Sequence, residues 1–227
     1  DLDSIQAVMG IALKLSVAIT AVLTVMTTLF PVTMMKVYTD NPLLIEIGAS
    51  YLRIAGFSYL LSSFSQVYLS MLKSVEQAKI STCISCLSLF LNVGLNAAFI
   101  FGIAGFPKLG VIGVAIATLI ARFIESLICL LHYLSGKMIK PKLSILFSKN
   151  RLLFKDFLKY SIPALINDCV WTLAFSTYSI ILGHMTSDVV AASSVAETLR
   201  NLFTVLCFGL SAGGSVILGK EIGAKQM

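Results

Sequence analysis

The sequence predicts an all-α membrane protein, a polytopic helical bundle of about six transmembrane helices. Composition is the first observation behind this. Of 227 residues, 57% are hydrophobic and only 12% are charged, with a mean hydropathy of +0.92, whereas a soluble domain carries about 25% charge. The second is a set of six separate apolar stretches, each able to reach the roughly 20 residues that cross a hydrocarbon core. The third is that these stretches are apolar on every face, where a membrane β-strand would alternate. In lipid, a helix pairs its own backbone groups and an open strand does not. Composition also excludes a disordered chain and a disulfide-stapled miniprotein.

The stretches follow in order. The first runs from about Leu15 to Met35, with Pro31 near its end as a candidate kink. The second runs from about Ile54 to Leu72, with a lead-in from Leu43, and the third from about Ile80 to Phe106. The fourth, Gly110 to Leu134, carries Arg122 and Glu125. The fifth, Tyr160 to Gly183, carries Asp168, and the sixth, Val189 to Leu218, carries Glu197 and Arg200. Connections are short except one. Residues 1–136 thus read as a first group of four spans, 137–159 as a basic linker lying partly on the membrane surface, and 160–227 as a second group of two.

Charge supplies an orientation. The formal net charge is +6, and seven basic residues fall between Lys137 and Lys159. Taken by alternate sides, Lys73, Lys79, the linker, Lys220 and Lys225 share one face, and Lys36 and Lys108 the other. The positive-inside rule places the first face in the cytoplasm, with both ends of the segment. The expected partner is therefore the lipid bilayer of the cell membrane. No basic helix free of apolar neighbours is present to enter a nucleic-acid groove. The first residue is Asp1 and no signal peptide is visible, so the chain reads as part of something longer.

Asp168 is the most informative residue. A carboxylate inside a span costs about 2.5–3.5 kcal/mol on insertion scales, so it must meet other helices, water or a cation. Desolvation disfavours the charged form, and the group then either takes up a proton or holds Na⁺. Pro163, five residues earlier, predicts a kink that frees a backbone carbonyl nearby. Asn167 is adjacent, and Trp171 and Thr172 lie three and four residues on, along the same helix face. Acid, amide and indole together suit a cation or a flat cationic ligand.

Arg122 with Glu125, and Glu197 with Arg200, are each three apart and able to neutralise one another within a turn. They read first as intramembrane clamps and second as parts of a gate or of a proton path. Asn92 and Asn96 are four apart, suited to interhelical hydrogen bonding or to lining a cavity. The five cysteines all sit in apolar runs, which argues against a disulfide framework. Cys83 and Cys86 form an isolated C-x-x-C without a second ligand pair, so no metal site is expected beyond a Na⁺ at Asp168. No serine-hydrolase, zinc-protease, P-loop or dinucleotide signature occurs. The chain is expected not to be an enzyme and to need no cofactor; any pumping must draw on an ion gradient.

Three blocks carry a family resemblance: "MMKVYTDNPLLIEIGASYLRIAGFSYLLSSFSQVYLSMLKS", "LNVGLNAAFIFGIAGFPKLGVIGVAIATLIARFIE" and "SIPALINDCVWTLAFSTYSIILGHMTSDVVAASSVAETLRNLFTVLCFGLSAGGSVILGKEIGA". Together they resemble the multidrug and toxic compound extrusion (MATE) family. The resemblance implies a twelve-helix, two-lobe antiporter that expels cationic aromatic compounds in exchange for Na⁺ or H⁺. On it, this chain corresponds to helices three to eight and lacks the remaining helices of the whole transporter. Asp168, after Pro163 and Asn167, falls where the family has an acid assigned to cation coupling, more often Glu. Two other readings compete: a lipid-linked sugar flippase of the same superfamily, and a non-transporting membrane subunit.

Overall fold

The computed structural model describes residues 2–136 and 151–223. Seven α-helices occur among them: α1 (Leu2–Leu29), α2 (Pro31–Tyr38), α3 (Pro42–Ser74), α4 (Ala78–Phe101), α5 (Val111–Leu134), α6 (Arg151–Gly183) and α7 (Ser187–Gly223). Six are long and apolar enough to cross a membrane, all but α2. The chain is thus a multi-pass helical membrane protein, as composition predicts. At 1.5 Å per residue, α3 and α6, of 33 residues each, are about 50 Å long, well beyond a core of about 30 Å.

The helix boundaries correct the sequence in physically instructive ways. Pro31 does not kink a continuous helix; it starts a new one. Phe30 takes φ −123° and ψ 40°, outside helical values, and Pro31 occupies the first turn of α2, where its missing N–H costs nothing. The second helix takes in its whole lead-in and begins at Pro42, twelve residues ahead of Ile54 and one before Leu43. Asn41 caps it by accepting the Leu43 amide at 3.0 Å, and Pro42 opens its first turn. α4 stops at Phe101 because Gly102 enters the left-handed region (φ 71°). The Leu109 amide then closes the connection on the Phe99 carbonyl at 3.0 Å. α6 already starts at Arg151, inside the stretch read as linker; residues 137–150 lie outside the described residues. Pro163 leaves α6 unbroken from Arg151 to Gly183, although it cannot donate to the carbonyl four residues back.

Contacts divide the chain into two units, 1–171 and 172–227, the division falling inside α6. In the first unit, α3 is the central helix, packed against α1, α2, α4 and α5, while α4 also lies along α5. Small residues permit these approaches. A Cβ on Gly113 of α5 would stand 2.6 Å from Phe99 Cβ of α4, and one on Gly56 of α3 would strike the Thr27 hydroxyl of α1. Thr24 of α1 crosses to the Gly56 carbonyl at 2.9 Å, whereas Thr20, Thr27 and Thr28 bond back to carbonyls of their own helix. Each hydroxyl is thereby satisfied without water.

The tightest core gathers Met9, Tyr68, Leu69, Leu72, Ile84, Cys129 and Tyr133. Leu72 and Cys129 are fully buried. The Tyr68 ring stacks on Phe64 and meets Tyr133 edge-on, and its hydroxyl lies 2.6 Å from His132 Nδ1. The second unit holds the rest of α6 and α7. Gly209 and Gly213, spaced for close helix approach, have open space around them among the described residues.

Candidate functional site

Polar residues gather where α3, α4 and α5 meet. Their side chains line a cavity of about 280 Å³ bounded by Gln66, Ser85, Ser88, Asn92, Thr118 and the Arg122–Glu125 pair. Ser85, Ser88 and Asn92 succeed one another at three- and four-residue spacing on α4, as do Thr118, Arg122 and Glu125 on α5. Helical period puts each set on one face, and packing of α4 along α5 turns the faces together.

Hydrogen bonds run through this interface in one direction. Asn96 Nδ2 donates to Asn92 Oδ1 at 3.1 Å, Asn92 Nδ2 to Thr118 Oγ1 at 3.4 Å, and Thr118 Oγ1 to the Val114 carbonyl at 2.9 Å. Asn92 and Asn96 thus share a face and tie α4 to α5, while Asn92 also borders the cavity. At the other end, Arg122 Nη1 donates to Glu125 Oε2 at 2.9 Å. Glu125 is 2% exposed, whereas the Arg122 side chain is 39% exposed. Among the described residues, Glu125 Oε1 and Asn96 Oδ1 are buried without a hydrogen-bond partner, as is the Tyr133 hydroxyl in the core. A buried acceptor left unmade costs about 1–3 kcal/mol, so the cavity is suited to a guest or water that donates.

The second charged pair behaves differently. Glu197 and Arg200 form no ion pair among the described residues. Instead, the Arg200 guanidinium lies 4.9 Å from the centre of the Phe175 ring, between α7 and α6. A cation over an aromatic face is a sound alternative where hydrocarbon surrounds the charge.

Asp168, Asn167 and Thr172 are exposed, and Trp171 is 58% exposed. No helix of the described residues covers Asp168, and none supplies it with a hydrogen bond or ion pair. No group of three or more metal-ligating side chains occurs among the described residues.

Sequence reasoning passed over several polar groups. Gln66, Ser85, Ser88 and Thr118 were legible as stripes at helical spacing. Arg53 and Glu46 lie within α3 and border a second cavity of about 550 Å³ with Lys36, Asp40 and Ser50. Both fall in the lead-in from Leu43, ahead of the most apolar part of α3.

Comparison with known proteins completes the description. The MatE family model matches residues 1–98 and 163–227. The chain is 25% identical to the probable multidrug resistance protein YoeA of Bacillus subtilis, over 99% of this chain and 49% of that protein. It is 25% identical to the probable multidrug resistance protein NorM of Bacillus cereus, over 80% of this chain and 40% of that one. Identity to the NorM protein of Thermotoga maritima is 26%, over 71% and 34%. The chain therefore spans half or less of the length of these relatives. No solved structure matches it.

Proposed function

The chain belongs to the MatE family, and from that premise we propose that it is part of a secondary multidrug efflux antiporter of the cell membrane. The transporter exchanges Na⁺ or H⁺ for cationic aromatic compounds by alternating access. Relatives named as multidrug resistance proteins support the substrate class. The two separated family matches support helices drawn from two lobes.

The observation that carries the coupling role is Asp168. It is a carboxylate within an apolar helix, exposed and without a protein partner among the described residues. A charge so placed is costly unless water or a cation reaches it. Entry of an ion from outside neutralises it and shifts the balance between outward- and inward-facing states. The drug leaves in the other half-cycle. Such coupling requires each ligand to bind the two states unequally. Asn167, Trp171 and Thr172 lie beside the acid on the same helix and complete a surface for a flat cation. The loops rich in lysine and arginine support a cytoplasmic linker and cytoplasmic ends for this segment.

Asp168→Asn in the complete gene product is expected to abolish gradient-driven efflux of ethidium while leaving expression intact. Normal efflux from that variant overturns the assignment. Efflux measured with Na⁺ replaced by K⁺ at fixed pH identifies the ion.

A further inference from the structure

The cavity between α3, α4 and α5 contains one guanidinium and one carboxylate, each only half used. Arg122 donates a single hydrogen bond among the described residues, to Glu125, out of the five N–H donors a guanidinium carries. Glu125 accepts that bond through Oε2 and leaves Oε1 buried and without a partner. Both residues stand on the wall of the same polar cavity, beside Gln66, Ser85, Ser88 and Asn92. The pair lies in the stretch 99–162 that the family match leaves out.

Electrostatics decides which guest fits. The pair is neutral as it stands. A simple cation on Glu125 leaves a net positive charge in a low-dielectric site, next to a guanidinium that repels it. A simple anion on Arg122 leaves a net negative charge against a buried carboxylate. A guest bearing both charges leaves the site neutral, which is the least costly state in hydrocarbon. We propose that this cavity is a binding site for a small zwitterion, its anionic group on Arg122 and its ammonium on Glu125.

Exposure sets the order of approach. Arg122 is the accessible member and receives the anion first. The ammonium then meets the Glu125 carboxylate, whose Oε2 accepts from Arg122 and whose Oε1 is left to accept from the guest. Size limits the guest: about 280 Å³ falls just under the range of roughly 300–1,000 Å³ typical of drug-sized pockets. The inference rests on the transport reading only for its purpose; the binding itself does not depend on Asp168.

The test uses the complete protein in nanodiscs and three matched probes: phenylalanine, phenethylamine and 3-phenylpropionate, titrated calorimetrically at pH 7. Phenylalanine is expected to bind at least tenfold tighter than either singly charged probe. Glu125→Gln should reduce it to the level of phenylpropionate, and Arg122→Gln to that of phenethylamine. Equal affinities for the three, a preference for either singly charged probe, or no binding of phenylalanine overturns the proposal. The wild-type ranking needs no variant, so a misfolded substitution does not protect the idea. Lost efflux with the ranking intact sinks the transport reading alone; lost ranking with normal efflux sinks this one alone.

Discussion

At the scale of single residues, the membrane interior sharpens every polar choice. The Tyr68 hydroxyl and His132 Nδ1, 2.6 Å apart, join α3 to the last turn of α5 inside the tightest part of the core. Tyr68→Phe keeps the ring contacts with Phe64 and Tyr133 and removes only that bond. It should lower stability by about 0.5–1.5 kcal/mol, the usual net worth of one hydrogen bond. A reduced midpoint in a detergent thermal melt reads this out, and an unchanged midpoint denies the bond any role. Asp168 stands out in the sequence as a candidate because a lone acid in an apolar run has few explanations. The partners of Arg200 were not: an arginine three residues from a glutamate satisfies a spacing rule, yet Phe175 of another helix offered its ring.

At the scale of helices, what matters is which faces meet. Two glycine patterns illustrate this. Gly209 and Gly213 have the spacing associated with close packing, but among the described residues open space surrounds both, while Gly113 lies hard against Phe99. Gly113→Ala should therefore cost about 1–3 kcal/mol through overpacking. Gly213→Ala should be neutral or gain up to about 1 kcal/mol from helix propensity. Melts of the two variants side by side separate these outcomes, and equal midpoints would refute the packing argument. The polar cavity teaches the same lesson from the other side. Its serines, Ser85 and Ser88, were visible in the sequence at helical spacing, but serine often satisfies itself on the carbonyl of its own helix. Only the α4–α5 contact makes the stripe a wall. The start at Pro42 was legible to within one residue from the lead-in at Leu43, whereas the stop at Gly102 was not, because apolar residues run on to Phe106 and hydropathy alone does not register a left-handed glycine.

For the molecule as a whole, the proposed orientation is argued from charge rather than from packing. With cysteines removed from the background, Lys108→Cys is expected to react with an impermeant maleimide added outside intact cells. Lys79→Cys should react only after permeabilisation. The reverse pattern inverts the topology. Six membrane-crossing helices, their order and the helical class were all readable from hydropathy alone, because the bilayer permits so few alternatives.

The Tyr68–His132 contact carries one last implication. The tie sits near the C-terminal end of both α3 and α5; on α5 the polar cavity lies farther back, at Thr118 to Glu125, but on α3 its Gln66 is only two residues from Tyr68. Whatever occupies the cavity against Gln66 therefore sits within one helical turn of that tie, and Tyr68→Phe is expected to change affinity at the cavity as well as the melting midpoint.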